Sequence, residues 1–174
     1  DLITYKDSLG MIYNQINQLT RYEEDTYTNK NLVAKTRTLR DAITYNEKGQ
    51  ILSYIDWIAR PTKEDGSARV ATTTIRSGMS YDNYGLLISY VDKIVDDASP
   101  SLITYKKSLN ITYDSIDRIK AYEEYSVDNK LFTSDMPTFL ESYITTTQRT
   151  NITYDISNNI FSYQDIVTSP TDET

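Results

Sequence analysis

The sequence predicts an all-β protein built from tandem hairpins, and three observations support this prediction. Tyrosine is unusually frequent, with 16 copies against five glycines and four prolines, and aromatic and β-branched side chains suit a pleated, half-buried surface. One hairpin-like pattern recurs five times, and turn-forming residues stand at the same places in every copy. We therefore expect hairpin-based repeats stacked into an elongated or spiralling antiparallel sheet, a solenoid-like array.

Composition excludes several classes of function. The net charge of −7 and the pI of about 4.6 argue against a nucleic-acid or anionic-membrane partner, because either would require clustered Lys and Arg. No run of about 18 apolar residues is present that could span a bilayer. The chain has neither His nor Cys, the commonest bases, nucleophile partners and metal ligands. We therefore expect that the chain is not an enzyme and that it has no cofactor, no metal site and no membrane span.

Internal duplication sets the organisation of the chain. The segment "LITYKDSLGMIYNQINQLTRYEEDTYTNK" from Leu2 matches "LITYKKSLNITYDSIDRIKAYEEYSVDNK" from Leu102 at nearly half of its positions. Likewise "AITYNEKGQILSYIDWIARPT" from Ala42 matches "NITYDISNNIFSYQDIVTSPT" from Asn151, and a fifth copy, "GMSYDNYGLLISYVDKI", begins at Gly78. Residues 1–174 therefore form a single predicted array. Its units are approximately 1–30, 31–65, 66–99, 100–133 and 134–174.

Two tyrosines, nine residues apart, mark every unit. The first tyrosines are Tyr13, Tyr45, Tyr81, Tyr113 and Tyr154, and the second tyrosines are Tyr22, Tyr54, Tyr90, Tyr122 and Tyr163. Asn or Asp follows each first tyrosine, and Asn, Asp or Gly stands three residues later, which predicts a three-residue hairpin loop with a bulge. In this loop Gly49 and Gly85 should be left-handed, whereas the connector glycine, Gly66, should be less constrained.

A second irregular position precedes each hairpin. It is occupied by Gly10, Ala42, Gly78, Asn110 and Asn151. Such residues inside an extended run mark either a bulge or a second tight turn, which would give a three-stranded meander, and the sequence leaves both open. The same register predicts a core face containing Ile43, Tyr45, Ile51 and Ser53, with Ile119 equivalent to Ile51.

Helix is the competing secondary structure in one place. The segment "SIDRIKAYEEY" from Ser115 fits an amphipathic helix, but its aligned copies are rich in β-branched and aromatic residues, so strand is favoured. A short helix is expected only in the longest connector, near "SDMPTFLESY" from Ser134.

The second tyrosines are the candidate binding residues. Tyr22, Tyr54, Tyr90, Tyr122 and Tyr163 would be the glycan contacts if they formed an exposed stacking platform, although cross-strand packing explains them equally. An acid stands two residues after each: Glu24, Asp56, Asp92, Glu124 or Asp165. These acids could form a Ca²⁺-binding ladder, but the favoured interpretation is solvated charges that protect strand edges.

The hairpin motif resembles a known repeat. The runs "ITYNEKGQILSY", "ITYDSIDRIKAY" and "MSYDNYGLLISY" resemble the YD repeat of RHS-type and teneurin-like surface proteins. The resemblance implies a spiralling sheet within a large secreted or surface shell, without catalysis by the repeats. The arginine that usually follows the family's glycine appears only as Arg118, and the first tyrosines recur after 32, 36, 32 and 41 residues, longer than the family period.

Two functions follow as expectations. The first is a non-catalytic structural or adhesive repeat segment of a large bacterial surface or secreted protein, located extracellularly or at the cell surface. Its partners would be neighbouring repeats of the same longer chain. The alternative is a module that uses exposed tyrosines to bind a glycan or another host or cell-surface ligand.

Overall fold

A computed structural model describes residues 2–129 and 144–170, and all regular structure in these residues is β-strand. The ten strands are β1 (Thr4–Tyr13), β2 (Leu19–Thr28), β3 (Asn31–Tyr45), β4 (Ile51–Pro61), β5 (Arg69–Tyr81), β6 (Leu87–Asp96), β7 (Ile103–Tyr113), β8 (Ile119–Asn129), β9 (Thr145–Tyr154) and β10 (Ile160–Thr168). The predicted all-β class is confirmed.

The strands form one antiparallel sheet in which the order along the sheet is the order along the chain, β1 to β10. Successive strands therefore pair as five hairpins, one for each predicted repeat. The chain divides into two compact units. One comprises Asp1–Ser77 and Lys93–Ile103, and the other comprises Gly78–Asp92 and Thr104–Thr174.

The hairpin loops have the predicted turn. In the β3–β4 loop, the Asn46 carbonyl accepts a hydrogen bond from the Gly49 N–H at 2.9 Å, and the Asn46 N–H donates to the Gln50 carbonyl at 2.9 Å. The Asn46 side-chain oxygen also accepts the N–H groups of Lys48 and Gln50. The third loop position has positive φ in all five hairpins, at Asn17, Gly49, Gly85, Asp117 and Asn158. The three-residue loop is confirmed.

The expectation for Gly66 is wrong. Gly66 has φ of +70°, and a Cβ atom there would lie 3.0 Å from the Val33 carbonyl oxygen. Gly49, by contrast, has φ of +78°, and its nearest neighbour would be the Gln18 side chain at 3.8 Å. The connector glycine is thus constrained by both its backbone conformation and a close approach of β3, which local turn chemistry does not reveal.

The irregular position before each hairpin is a bulge, not a second turn. Strand β3 continues through Ala42, which has φ of +52°, while its register with β4 shifts between Asp41 and Thr44. Positive φ recurs at the equivalent Gly10, Gly78, Asn110 and Asn151. The meander alternative is therefore excluded.

The segment that begins at Ser115 forms a loop and a strand, not a helix. Residues 115–117 lie in the hairpin loop, and β8 extends from Ile119 to Asn129. The short helix expected near Ser134 lies outside the described residues.

The core is thin. The residue two positions before the first tyrosine is buried in three hairpins, as Ile43, Ile111 and Ile152. Ile119, expected on the core face, is instead exposed. No large side chain among residues 2–129 and 144–170 is fully buried. A fold with so little interior depends heavily on interactions along the sheet.

A tyrosine hydrogen bond joins successive hairpins. The hydroxyl of Tyr45 donates to the Leu19 carbonyl at 2.7 Å. The same bond links Tyr113 to Leu87 at 2.7 Å and Tyr154 to Ile119 at 2.8 Å. In each case the first tyrosine of one hairpin binds the residue that opens the second strand of the preceding hairpin.

Candidate functional site: the tyrosine and arginine rows

The second tyrosines lie opposite a recurring arginine. The cross-strand partner of Tyr22 is Arg40, that of Tyr54 is Arg76, and that of Tyr122 is Arg149. Each arginine stands five residues before the first tyrosine of the following hairpin. We call the second tyrosines and the arginines opposite them the tyrosine and arginine rows. Direct cross-strand partners project from the same face of a sheet, so each guanidinium lies beside the preceding hairpin's ring.

Arg40 and Arg149 also stack on the second tyrosine of their own hairpins. The Cζ atom of Arg40 lies 3.8 Å from the ring centroid of Tyr54 and 5.7 Å from that of Tyr22. The Cζ atom of Arg149 lies 3.7 Å from the Tyr163 centroid and 5.6 Å from the Tyr122 centroid. These are cation–π distances, so one arginine bridges two rings.

Ion pairs fix the guanidinium groups in these positions. Arg40 donates two hydrogen bonds of 2.7 Å to the Asp56 carboxylate, and Arg149 donates two of 2.8 Å to Asp165. Bidentate geometry orients both planar groups and strengthens the pair. The hydrogen bond from Arg149 lowers the pKa of Asp165 below its usual value. Both acids are members of the predicted acid series.

The arginine was missed by sequence reasoning, although a signal for it exists. The position five residues before the first tyrosine reads Ser, Arg, Arg, Ser, Arg along the chain, while the acid reads Glu, Asp, Asp, Glu, Asp. Where serine replaces arginine, a lysine two residues earlier makes the ion pair: Lys6 to Glu24 at 3.2 Å and Lys106 to Glu124 at 3.0 Å. In these two hairpins and in those of Arg40 and Arg149, the basic and acidic residues change together and form an ion pair.

The interpretation of the acids as solvated edge charges is wrong for two of the five acids. Asp56 and Asp92 are buried, and Asp56 is neutralised by Arg40. In the described parts of the chain, no cluster of three or more acidic side chains is arranged to hold a metal ion.

The five candidate glycan contacts differ in accessibility. Tyr54 is only 8% exposed because arginines lie beside its ring, so the expectation that it is exposed is wrong. Tyr22, Tyr90 and Tyr122 are half-buried, and Tyr163, on strand β10, is 51% exposed. Four of these rings have an arginine beside them, at Tyr22, Tyr54, Tyr122 and Tyr163.

A cleft between hairpin loops contains another tyrosine. It has a volume of about 690 Å³, and its lining includes Tyr84, Asp82, Asp114 and Asp117. Tyr84 is 91% exposed. A hydrogen-bonded ion pair of 2.7 Å with Arg118 fixes Asp114, and backbone hydrogen bonds together with this pair lower its pKa. An accessible ring beside several carboxylates offers both stacking and hydroxyl recognition.

Together, the sheet and its rows define a tandem β-hairpin repeat protein. Comparison with protein-family models, curated proteins and solved structures finds no match for the chain. A helix able to cross a membrane is not found within residues 2–129 and 144–170.

Acid should destabilise the fold. The pKa values of Asp25 and Asp165 are lowered by hydrogen bonds from arginine, and those of Asp114 and Asp155 mainly by backbone hydrogen bonds in the loops. These carboxyl groups bind protons more readily in the unfolded chain than in the folded protein. Their contribution to the free energy of unfolding is therefore fully present above the unfolded pKa of about 3.9, and it is lost as the pH falls through the lower pKa values of the folded protein. Denaturant titrations should show a falling free energy of unfolding below about pH 4. Equal stability at pH 5 and pH 3 would contradict these assignments.

Proposed function

We propose that the chain is a non-catalytic structural or adhesive repeat segment of a large bacterial surface or secreted protein, located extracellularly or at the cell surface. One observation carries the proposal: the recurring tyrosines, arginines and acids bind neighbouring hairpins and one another. The resemblance to YD repeats supports the bacterial surface location.

The physical argument concerns how a hairpin becomes stable. A two-stranded hairpin alone is at best marginally stable, and these hairpins have few buried apolar side chains. Stacking supplies the missing contacts: the Tyr45 hydroxyl bond to Leu19 and the Arg40 stack on Tyr22 both cross from one hairpin to the next. A segment stabilised in this way can be extended by adding units. Neighbouring repeats of the same longer chain are accordingly its proposed partners.

Cell fractionation tests this role. Antibodies raised against the purified chain should label intact cells of the producing organism or detect the protein in the culture medium. The detected protein should be well above 20.1 kDa, the mass of this chain. A product confined to the cytosolic fraction, or one of about that mass, would contradict the proposal.

Glycan recognition is the second candidate, because the loop cleft combines Tyr84 with Asp82, Asp114 and Asp117. Glycan-array screening should then return saturable hits. Replacing the exposed ring in Tyr84→Ala should weaken them about tenfold, the effect of losing roughly 1.4 kcal/mol of stacking.

The matched control is Tyr163→Ala, which removes the most exposed of the five predicted glycan contacts and lies outside the cleft. Retained binding in this control would assign recognition to the cleft. Loss in Tyr163→Ala alone would assign it to the tyrosine row, and an array without saturable hits would exclude the glycan function.

A further inference from the structure

A second cleft lies on the face of the sheet opposite the tyrosine and arginine rows. Alternate residues of a strand share one face, so Trp57, three residues after Tyr54 on β4, points away from the rows. The cleft has a volume of about 370 Å³. Its lining includes one aromatic, two small and two charged residues: Trp57, Ala59, Ala71, Arg69 and Asp97. These residues all belong to one compact unit, and we call the cleft the Trp57 pocket.

The pocket coincides with an interruption of the repeat. Ala59 lies directly opposite Ala71, and the two are only 1% and 6% exposed. The equivalent residues of β2 and β3 are Tyr27 and Lys35, whose ammonium lies 4.4 Å from the ring centroid. The equivalent of Ala59 in β8 is Val127, which is 6% exposed. Larger side chains therefore occupy this place elsewhere, whereas two methyl groups form the floor of the pocket here.

The indole of Trp57 is available to a ligand. Within residues 2–129 and 144–170 it makes no ring stack, cation–π contact or hydrogen bond, unlike the tyrosines of the rows. Every buried polar side-chain atom in these residues has a hydrogen-bond partner, so the unpaired N–H of this half-buried indole is in contact with solvent. Trp57 thus offers a flat apolar surface and one donor.

Two opposite charges stand at the rim of the pocket. Arg69 and Asp97 are both exposed, and neither side chain makes an ion pair or hydrogen bond with another described residue. The turn that carries Asp97 is fixed, because the Asp97 N–H donates to the Ala71 carbonyl at 2.9 Å and the Ala98 N–H donates to the Asp96 carboxylate at 2.7 Å. The guanidinium fork matches a carboxylate, and the Asp97 carboxylate accepts hydrogen bonds from hydroxyl groups.

These groups select a ligand with three features: a flat apolar face for the indole and the alanines, a carboxylate for Arg69, and hydroxyl donors for Asp97. A pyranose ring that carries a carboxylate has all three. The volume is near the lower end of the range of about 300–1,000 Å³ for small-molecule sites, which suits a ligand of one or two rings. We propose that the Trp57 pocket binds an acidic sugar, the repeating unit of a polyuronic acid.

This binding activity goes beyond the structural role proposed above, and its site is separate from the cleft that contains Tyr84. Neither earlier proposal depends on it. Binding at the Trp57 pocket and binding at the Tyr84 cleft can therefore be tested independently.

Indole fluorescence tests the proposal directly, because Trp57 is the only tryptophan of the chain. The probe is digalacturonic acid in about 0.15 M salt, which screens the net charge of −7 beyond about 8 Å. Titration should give a saturable change in indole emission. The methyl ester of the same disaccharide keeps the rings and hydroxyl groups but has no charge, so it should bind about tenfold more weakly. Equal affinity for the acid and the ester, or no saturable change, would overturn the proposal.

A pair of matched variants tests the role of the charge. Arg69→Gln should weaken binding of the acid about tenfold and leave binding of the ester unchanged. Arg60→Gln is the control, because Arg60 is an equally exposed arginine that follows Ala59 and so lies on the other face of the sheet. It should change neither affinity. Equal effects of the two substitutions would overturn the assignment of the carboxylate to Arg69.

Filling the pocket tests its position. The double variant Ala59→Val, Ala71→Ile introduces the residues that the chain itself carries at the equivalent Val95 and Ile103 of β6 and β7, so it should fold with an unchanged thermal midpoint. It should also lose the fluorescence response to digalacturonic acid. A folded double variant that still binds would overturn the proposal. A saturable response to leucine but not to digalacturonic acid would also overturn it, and would assign the pocket to an α-amino acid.

Discussion

Replacing the buried carboxylate in Asp56→Ala should lower the free energy of unfolding by about 3 kcal/mol. Asp56 accepts two hydrogen bonds of 2.7 Å from Arg40, and both side chains are largely buried. Removing the carboxylate leaves a guanidinium between the rings of Tyr22 and Tyr54 without its counter-charge. The variant therefore loses the ion pair and also keeps an arginine that is largely shielded from water and has no counter-charge.

The matched control is Asp165→Ala. Arg149 and Asp165 have the same bidentate geometry, but the side chain of Asp165 is 25% exposed against 12% for that of Asp56, so water already screens this pair and can occupy the place of the lost carboxylate. We expect a loss of about 1 kcal/mol there. Urea titrations of both variants measure the difference. Equal losses would show that the position of the pair within the sheet does not determine its contribution.

Valine in place of either constrained glycine should be the other strongly destabilising change. Gly49→Val forces a β-branched residue into positive φ and should cost about 2 kcal/mol. Gly66→Val should cost about 3 kcal/mol, because its Cβ atom also meets the Val33 carbonyl oxygen at 3.0 Å. Thermal or denaturant midpoints of the two variants test this order.

Gly49→Asn serves as the control for backbone strain. Asn17 and Asn158 occupy the equivalent loop position with φ of 61° and 62°, so this change should cost less than about 1 kcal/mol. A Gly49→Val protein as stable as Gly49→Asn would contradict the left-handed loop. A Gly66→Val protein with unchanged stability would contradict the close approach to β3.

The hairpins could be predicted because their determinants are local. Asn46 and Gly49 specify the loop through hydrogen bonds that span only a few residues, and five copies of the pattern identify both positive-φ positions. The same local chemistry could not choose between a bulge and a second turn at Ala42. That choice depends on the register of β3 with β4, which is a long-range property.

The candidate site was harder to predict for the same reason. The pairing of Arg40 with Asp56 and its stacking on Tyr22 involve residues on different strands. Without that register, Asp56 resembled a surface charge and Tyr54 an exposed ring. The Gly66 constraint was likewise hidden, because it arises from the approach of Val33 rather than from the connector itself.

The equivalence of the hairpin interfaces is tested most directly by cross-strand nuclear Overhauser effects in solution. The account predicts contacts between the backbones of Tyr22 and Arg40, Tyr54 and Arg76, and Tyr122 and Arg149, three pairs at one repeat position. Extended-strand chemical shifts should accompany them through β8. Helical shifts with contacts between residues three apart over 115–125, or the absence of these cross-strand contacts, would contradict the tandem-hairpin account.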